Sequence, residues 1–159
     1  MVQATETAPA ATGTQKKPIV PFLALEDGEP YLKGTKCPKC GAHYLGARMA
    51  CSKCFNTEGF EDVKLSREGE VWVYTIVYQS FPGAEVPFVG AIVDLPEHVS
   101  VRCNLKNVKA DPEHVKFGMK VRMKTGPVDY KDKEGNMQTR KDREGNEVIA
   151  FWFEPVSGA

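Results

Sequence analysis

The clearest hydrophobic pattern in the chain is the run from Glu70 to Tyr78, which is filled by β-branched and aromatic residues. The turn-prone segment 66–69 precedes this run, so the pattern predicts a β-strand. Alternation divides its side chains into two sets, Val71, Val73, Thr75 and Val77 on one face and Trp72, Tyr74, Ile76 and Tyr78 on the other. Both faces are apolar, which is typical of a strand covered on two sides. We expect one face to fill a barrel and the other to be covered by a helix, by the preceding part of the chain or by another protein.

Four further segments have strand-like patterns and are separated by turn signals. They are Val86 to Leu95, Val99 to Leu105, Met119 to Lys124 and Val148 to Phe153. Gly90 indicates a bulge or bend in the first of them. The fragment Asp111-Pro112-Glu113 combines an N-cap residue with a following proline, which predicts a helix of one or two turns. Five strands with such a helix are typical of an OB-type barrel, and a plain five-stranded sandwich is the alternative.

Segment 126–148 is polar and contains two similar turn-prone pentapeptides, at 132–136 and 142–146. Five basic and six acidic residues lie between Asp129 and Glu147. A pair of turns explains this similarity better than a domain repeat does. We therefore expect a solvated hairpin excursion, of a kind that can also reach a neighbouring molecule.

Four of the five cysteines form two Cys-x-x-Cys pairs that are separated by ten residues. These four are Cys37, Cys40, Cys51 and Cys54. A two-residue spacing lets the backbone turn so that both sulfurs face one point, and Gly41 suits that turn because it tolerates a positive φ. Four thiolates favour zinc, with a rubredoxin-like iron centre as the alternative, since soft sulfur suits both ions. The short loop, with only Tyr44 as an aromatic neighbour, favours zinc.

The cysteine segment is also basic, because five cationic residues and no acidic residue lie between positions 33 and 54. They are Lys33, Lys36, Lys39, Arg48 and Lys53. Such a patch can contact phosphates. Equally, it can simply solvate the module and offset the two negative charges of a four-thiolate zinc site.

The whole chain has 159 residues, with 21 basic and 21 acidic side chains. This balance creates no global field for nucleic acid or an anionic membrane, and no apolar run approaches the roughly 20 residues that a membrane span requires. Residues 1–18 lack an apolar block and an arginine, so we expect a disordered tail without a secretory signal. Reduced cysteines and the absence of an export signal predict a cytoplasmic protein.

We expect two modules after the tail, an apolar arm with the zinc ribbon at 19–65 and the barrel at 66–159. The arm is apolar but interrupted by Pro21 and Pro30, and it either packs on its own module or acts as a docking strap. Outside the cysteine pairs, Cys103 lies in an apolar strand context that is typical of an inert thiol. No Ser/His/Asp set, phosphate loop or dinucleotide fingerprint is present, so we predict no catalytic residues on this chain.

The combined motifs resemble the zinc-ribbon plus OB-fold proteins that accompany thiolases and related acyl-CoA enzymes. The resemblance covers residues 30–156 and rests on Cys37-x-x-Cys40-Gly41, Cys51-x-x-Cys54, Ser66-x-x-Gly69-x-Val71, Tyr74-Thr75, Ala91-Ile92-Val93-Asp94-Leu95, Phe117-Gly118-Met119-x-Val121 and Phe153-Glu154-Pro155. Two features depart from the family: residues 47–50 keep the arginine but not the prolines that often precede the second knuckle, and the 126–148 excursion is extra.

The resemblance implies a mainly β protein with a small rubredoxin-like zinc ribbon, followed by the five-stranded OB-type barrel. It also implies a non-catalytic, zinc-binding subunit in a hetero-oligomer with a thiolase-fold subunit, which holds the catalytic cysteine and histidine. A CoA thioester is then a ligand of the complex, with Arg48 and Lys53 as the expected phosphate contacts. Two other functions stay open at this point, a free-standing nucleic-acid-binding protein and an iron electron carrier.

Overall fold

The computed structural model describes residues 15–26, 28–81, 83–132 and 134–156, and within them it contains twelve strands and no helix. The strands in chain order are β1 (Lys16–Pro18), β2 (Leu23–Ala24), β3 (Tyr31–Lys36), β4 (His43–Leu45), β5 (Glu61–Lys64), β6 (Glu68–Val77), β7 (Phe88–Asp94), β8 (Ser100–Leu105), β9 (Lys120–Pro127), β10 (Asp129–Lys131), β11 (Met137–Thr139) and β12 (Glu147–Pro155). A search of these residues finds no helix with the length and apolar character needed to cross a membrane.

Five of these strands close into a barrel. Strands β6, β7 and β8 form an antiparallel meander, β9 pairs with β6, and β12 closes the ring by pairing with β9 and β8. The best-buried core side chains are at most 1% exposed and include Val71, Val93, Val101, Val121 and Phe153. Each burial of this kind stabilises the fold by roughly 1.5 to 3 kcal/mol. The predicted five-stranded OB-type barrel is confirmed, and ring closure excludes the sandwich.

The predicted helix after Asp111 is not formed. The Asp111 carboxylate does accept hydrogen bonds from the backbone N–H groups of Glu113 and His114, at 3.1 and 2.9 Å, as an N-cap would. The chain then makes only turns before Gly118, which has a φ of 73°. So short a segment cannot offset the cost of nucleating a helix.

The bulge lies in β6, at Trp72, and not at Gly90. The ladder between β6 and β7 changes register between Val71 and Val73, whereas Gly90 pairs regularly with both of its neighbours. An extra residue reverses the alternation of the strand beyond it. Consequently Tyr74 is half-buried opposite buried Ala91, while Trp72 remains 62% exposed.

The two faces predicted for this strand are therefore wrong in their membership. Of the second predicted face, Tyr74 and Ile76 are half-buried, whereas Trp72 and Tyr78 are left uncovered by the described part of the chain. Tyr78, at the far end of the same run, is 64% exposed.

The arm and the base of the ribbon pack against the barrel. Strand β2 pairs with β3, and β3 pairs with both β4 and β5. Leu23, Leu32 and Leu65 belong to the same buried cluster as the barrel core. The arm thus packs on its own chain, and the apolar core is continuous across the predicted module boundary at 65/66.

The N-terminal segment and the excursion meet at one edge of the barrel. Of the predicted tail, residues 1–14 lie outside the described residues, and Lys16–Pro18 pairs in parallel with β12. The excursion begins after β9 and consists of the β10–β11 hairpin and a second turn before β12. Asp132 and Asp142 each accept two backbone N–H bonds at 2.8 to 2.9 Å, so the two pentapeptides form equivalent turns.

Candidate metal centre

The two cysteine pairs form knuckles with matching backbone geometry. In the first, the N–H of Gly41 donates to the carbonyl of Cys37 at 2.9 Å, and Gly41 has a φ of 71°. In the second, the N–H of Phe55 donates to the carbonyl of Cys51 at 2.9 Å, and Phe55 has a φ of 59°. The second knuckle therefore places a large side chain in the left-handed region that glycine occupies in the first, at a cost in strain.

The knuckles bring all four cysteine Sγ atoms within 4.8 Å of one another. The Sγ atoms of Cys37 and Cys54 are 3.6 Å apart, and those of Cys40 and Cys51 are 3.5 Å apart. A tetrahedron of sulfurs at about 2.3 Å from a zinc ion has edges of about 3.8 Å, so the four thiols fit zinc. Once bound, zinc would be a structural ion that ties the two knuckles together.

Tyr44 supports this centre from β4. Its hydroxyl lies 3.1 Å from Cys51 Sγ and 3.1 Å from Ser52 Oγ. The contact with Tyr44 lowers the pKa of the Cys51 thiol to about 6, which favours the thiolate that a metal requires. The sequence marked Tyr44 only as a nearby aromatic residue, because a hydroxyl contact across a loop leaves no sequence pattern.

Clustering the thiols has an electrostatic cost. The Asn56 backbone amide lowers the pKa of the Cys54 thiol. Burial and the neighbouring thiols of Cys40, Cys51 and Cys37 outweigh this effect and raise the pKa to about 12. Four thiolates so close together repel one another unless a cation neutralises them. This is the balance expected of a metal centre.

Arg48 and Lys53, the expected phosphate contacts, are both exposed beside the second knuckle. The Arg48 guanidinium lies 5.0 Å from the centre of the Tyr44 ring, so a single tyrosine contacts both a metal ligand and this cation. Neither cation belongs to an ion pair among the residues that the structure describes.

The remaining reactive side chains are not gathered around a second centre in the described ranges. Cys103 is buried in β8, and this burial raises the pKa of its thiol to about 12. Such a thiol is a poor nucleophile at neutral pH. His114 contacts its own turn carboxylate, with Nδ1 2.5 Å from Asp111 Oδ1.

Two family models match this chain in consecutive segments. The rubredoxin-like zinc ribbon domain of ChsH2 matches residues 27–61, and the C-terminal OB-fold domain of ChsH2 matches residues 62–126. The chain is 35% identical over 150 residues to the benzoylsuccinyl-CoA thiolase subunit BbsA of Geobacter metallireducens, which covers 90% of this chain and 92% of that protein. It is 28% identical over 149 residues to BbsA of Thauera aromatica, covering 89% and 93%.

A solved structure, the Ltp2-ChsH2(DUF35) aldolase, has the same fold. Its similarity has a TM-score of 0.55 at 22% identity and covers 79% of this chain and 84% of that one. The fold, the four-cysteine centre and the near full-length match with a BbsA subunit agree. The chain belongs to the ChsH2-type family, in which a rubredoxin-like zinc ribbon is followed by an OB-fold domain.

Proposed function

We propose that this chain is the non-catalytic, zinc-binding subunit of a thiolase-type acyl-CoA acyltransferase. The observation that carries the proposal is the 35% identity to a benzoylsuccinyl-CoA thiolase subunit across 92% of that protein. A thiolase-fold partner supplies the catalytic cysteine and histidine. Buried Cys103 agrees with this division of labour, because its thiol is neither accessible nor ionised at neutral pH.

The reaction we propose for the complex is the cleavage of benzoylsuccinyl-CoA by CoA. The partner's cysteine attacks the benzoyl carbonyl, the carbon–carbon bond breaks, and the carbanion that is released takes up a proton to give succinyl-CoA. The thiol of CoA then takes the benzoyl group from the cysteine, which gives benzoyl-CoA and restores the free thiol. This reaction belongs to the anaerobic degradation of toluene, and we place the complex in the cytoplasm. The choice of benzoylsuccinyl-CoA as the substrate is supported by the name that both BbsA relatives carry, benzoylsuccinyl-CoA thiolase subunit.

The test is co-expression of this chain with the thiolase-fold subunit of the same organism. We expect a stable hetero-oligomer on gel filtration and turnover by the complex only. Full activity of the large subunit alone, or separation of the two chains, would contradict the proposal. Cleavage of acetoacetyl-CoA but not of benzoylsuccinyl-CoA would retain the thiolase role and exclude this substrate.

We propose further that Arg48 and Lys53 contact the phosphates of CoA in the complex. Their exposure and their lack of carboxylate partners in the described ranges support this role. In the assembled enzyme, Arg48→Ala or Lys53→Ala should raise KM for CoA about threefold to tenfold with little change in kcat. Lys64→Ala is the matched control, since Lys64 is an exposed ribbon cation that lies 4.4 Å from the Tyr31 ring. An equal effect of all three changes would indicate general charge alone.

A further inference from the structure

A groove of about 820 Å³ runs along the barrel beside the start of β6. Its floor includes the buried side chains of Val71, Leu95 and Val121. Its walls include Trp72 and Phe117, which are 62% and 70% exposed. Two large aromatic side chains are thus presented to solvent above an apolar floor, an arrangement typical of an interaction surface.

The backbone holds these walls in place. The N–H of Gly118 donates to the carbonyl of Val71 at 2.8 Å, and the N–H of Val71 donates to the carbonyl of Met119 at 3.0 Å. The Phe117 ring lies 5.3 Å from the ring of Tyr74, a neighbour on β6. The backbone segments that carry Trp72 and Phe117 are therefore joined by hydrogen bonds, so no backbone ordering at this point opposes binding.

The groove is also acidic. Its charged lining residues are Glu68, Glu70, Asp94 and Lys120. The two glutamates form ion pairs with Arg122 and Lys120, but all four side chains are more than half exposed, so these pairs are weak. Asp94 accepts a hydrogen bond from the Ser100 hydroxyl at 2.6 Å and belongs to no ion pair among the described residues.

The acidic rim and the open aromatic walls distinguish between three candidate occupants of the groove: a second copy of this chain, a small molecule and a segment of another protein. A second copy of this chain, joined by two-fold symmetry, would place the acidic rim against itself. A small molecule is normally enclosed over 70 to 90% of its surface, whereas both aromatic walls here are open to solvent. A protein segment with a large apolar side chain and a neighbouring cation fits both the floor and the rim.

We propose that the groove docks such a segment of the thiolase-fold partner subunit. Its apolar side chain enters between Trp72 and Phe117, and its lysine or arginine pairs with Asp94. The proposal rests on the proposed function, because it names the surface through which the two subunits join. The proposed interface differs from the apolar face that the sequence predicts for this strand. Trp72 contacts the partner together with Phe117, whereas Tyr74 and Ile76 of the same strand are half-buried.

The test compares three variants in binding to the purified partner subunit. Trp72→Ala should weaken the affinity about thirtyfold or more, and Asp94→Asn about threefold to tenfold. Tyr78→Ala is the matched control, because Tyr78 follows the same strand and is 64% exposed, and it should change the affinity less than about twofold. Unchanged zinc content and thermal midpoint would show that each variant is folded.

The outcomes separate the two proposals. If the wild-type chain binds no thiolase-fold subunit, the proposed function and the docking groove both fail. If the wild type binds and Trp72→Ala binds equally well, the groove is wrong and the subunit role stands. An equal loss in Tyr78→Ala would also overturn the groove as the specific site.

A second measurement reports directly on the groove. The chain has two tryptophans, so 5-fluorotryptophan labelling gives two ¹⁹F resonances, and Trp152→Phe assigns them. Saturation with the partner should shift or broaden the Trp72 resonance. An unchanged Trp72 resonance in the complex would overturn the proposal. So would a shift that appears on concentrating the chain alone or on adding benzoyl-CoA alone, since these identify a second copy or a small molecule as the occupant.

Discussion

The metal loop, which we define as residues 37–60, and the barrel are stabilised in different ways. Between residues 37 and 60 the only buried side chains are Cys37 and Cys51, so the prospective metal ligands are also the core. The barrel instead buries a continuous cluster of aliphatic side chains together with Phe153 inside a closed ring of strands. One region should therefore depend on an ion, and the other on apolar burial.

The largest expected effect is the loss of the metal loop in Cys51→Ser. Zinc binding supplies about 10 to 16 kcal/mol in comparable small modules, and three remaining thiols cannot retain most of it. We expect less than half an equivalent of zinc by elemental analysis and loss of amide protection across 37–60, with the barrel amides still protected. Cys103→Ala should keep its zinc. Complete cooperative unfolding of Cys51→Ser would show that the two regions are one unit.

The converse change is Phe153→Ala in the barrel. Phe153 is 0% exposed, so its truncation should lower the free energy of unfolding by about 3 to 5 kcal/mol. Phe81→Ala, at a 76% exposed position, should cost less than about 0.5 kcal/mol. Chemical denaturation followed by circular dichroism measures both. Similar values for the two variants would show that burial does not govern the barrel.

A smaller effect is expected for Tyr44→Phe, which removes the hydroxyl near Cys51 Sγ and keeps the ring. Loss of such an outer contact typically weakens metal binding about tenfold to a hundredfold. Arg48→Ala removes the cation over the same ring and should leave metal affinity unchanged. Competition with a chromogenic chelator distinguishes the two. Equal affinities in Tyr44→Phe and the wild type would exclude support by the hydroxyl.

The smallest effect is a gain in stability in Phe55→Gly. Phe55 is 83% exposed and has a φ of 59°, so glycine should relieve about 1 kcal/mol of strain. Phe55→Ala retains a Cβ and should show no comparable gain. Hydrogen exchange at the Cys51 amide reports the opening free energy. Faster exchange in Phe55→Gly would mean that the phenyl group stabilises the knuckle more than its backbone strains it.

Different kinds of sequence information predicted the two regions. Alternation located the barrel strands, because each strand presents one face to a shared core. Spacing located the metal centre, because two short knuckles converge on one point. Both signals are local along the chain, which explains why they could be identified without the structure.

Features that depend on partners across the fold were not predictable in this way. The bulge at Trp72 is a mismatch between two paired strands, and Gly90, the local signal for it, proved misleading. The side-chain bonds expected of a cap are present at Asp111, but the helix predicted from them is not formed, because the segment before Gly118 is too short to nucleate one. The groove was not predictable for the same reason, because it is formed by the bulged residue Trp72 and by Phe117 in the turn before Gly118.

The ends of the metal loop are neighbours. Lys36 and Glu61 are paired across the ladder between β3 and β5, so the polypeptide leaves and re-enters the fold at adjacent positions. In engineering terms, residues 37–60 are a cassette that a short turn can replace, at the cost of the β4 edge. Transplanting a metal loop from another family member therefore requires matching the β3–β5 pair and the β4 edge, where Leu45 packs on the core, whereas exchanging the whole ribbon would also require rebuilding the seam of Leu23, Leu32 and Leu65.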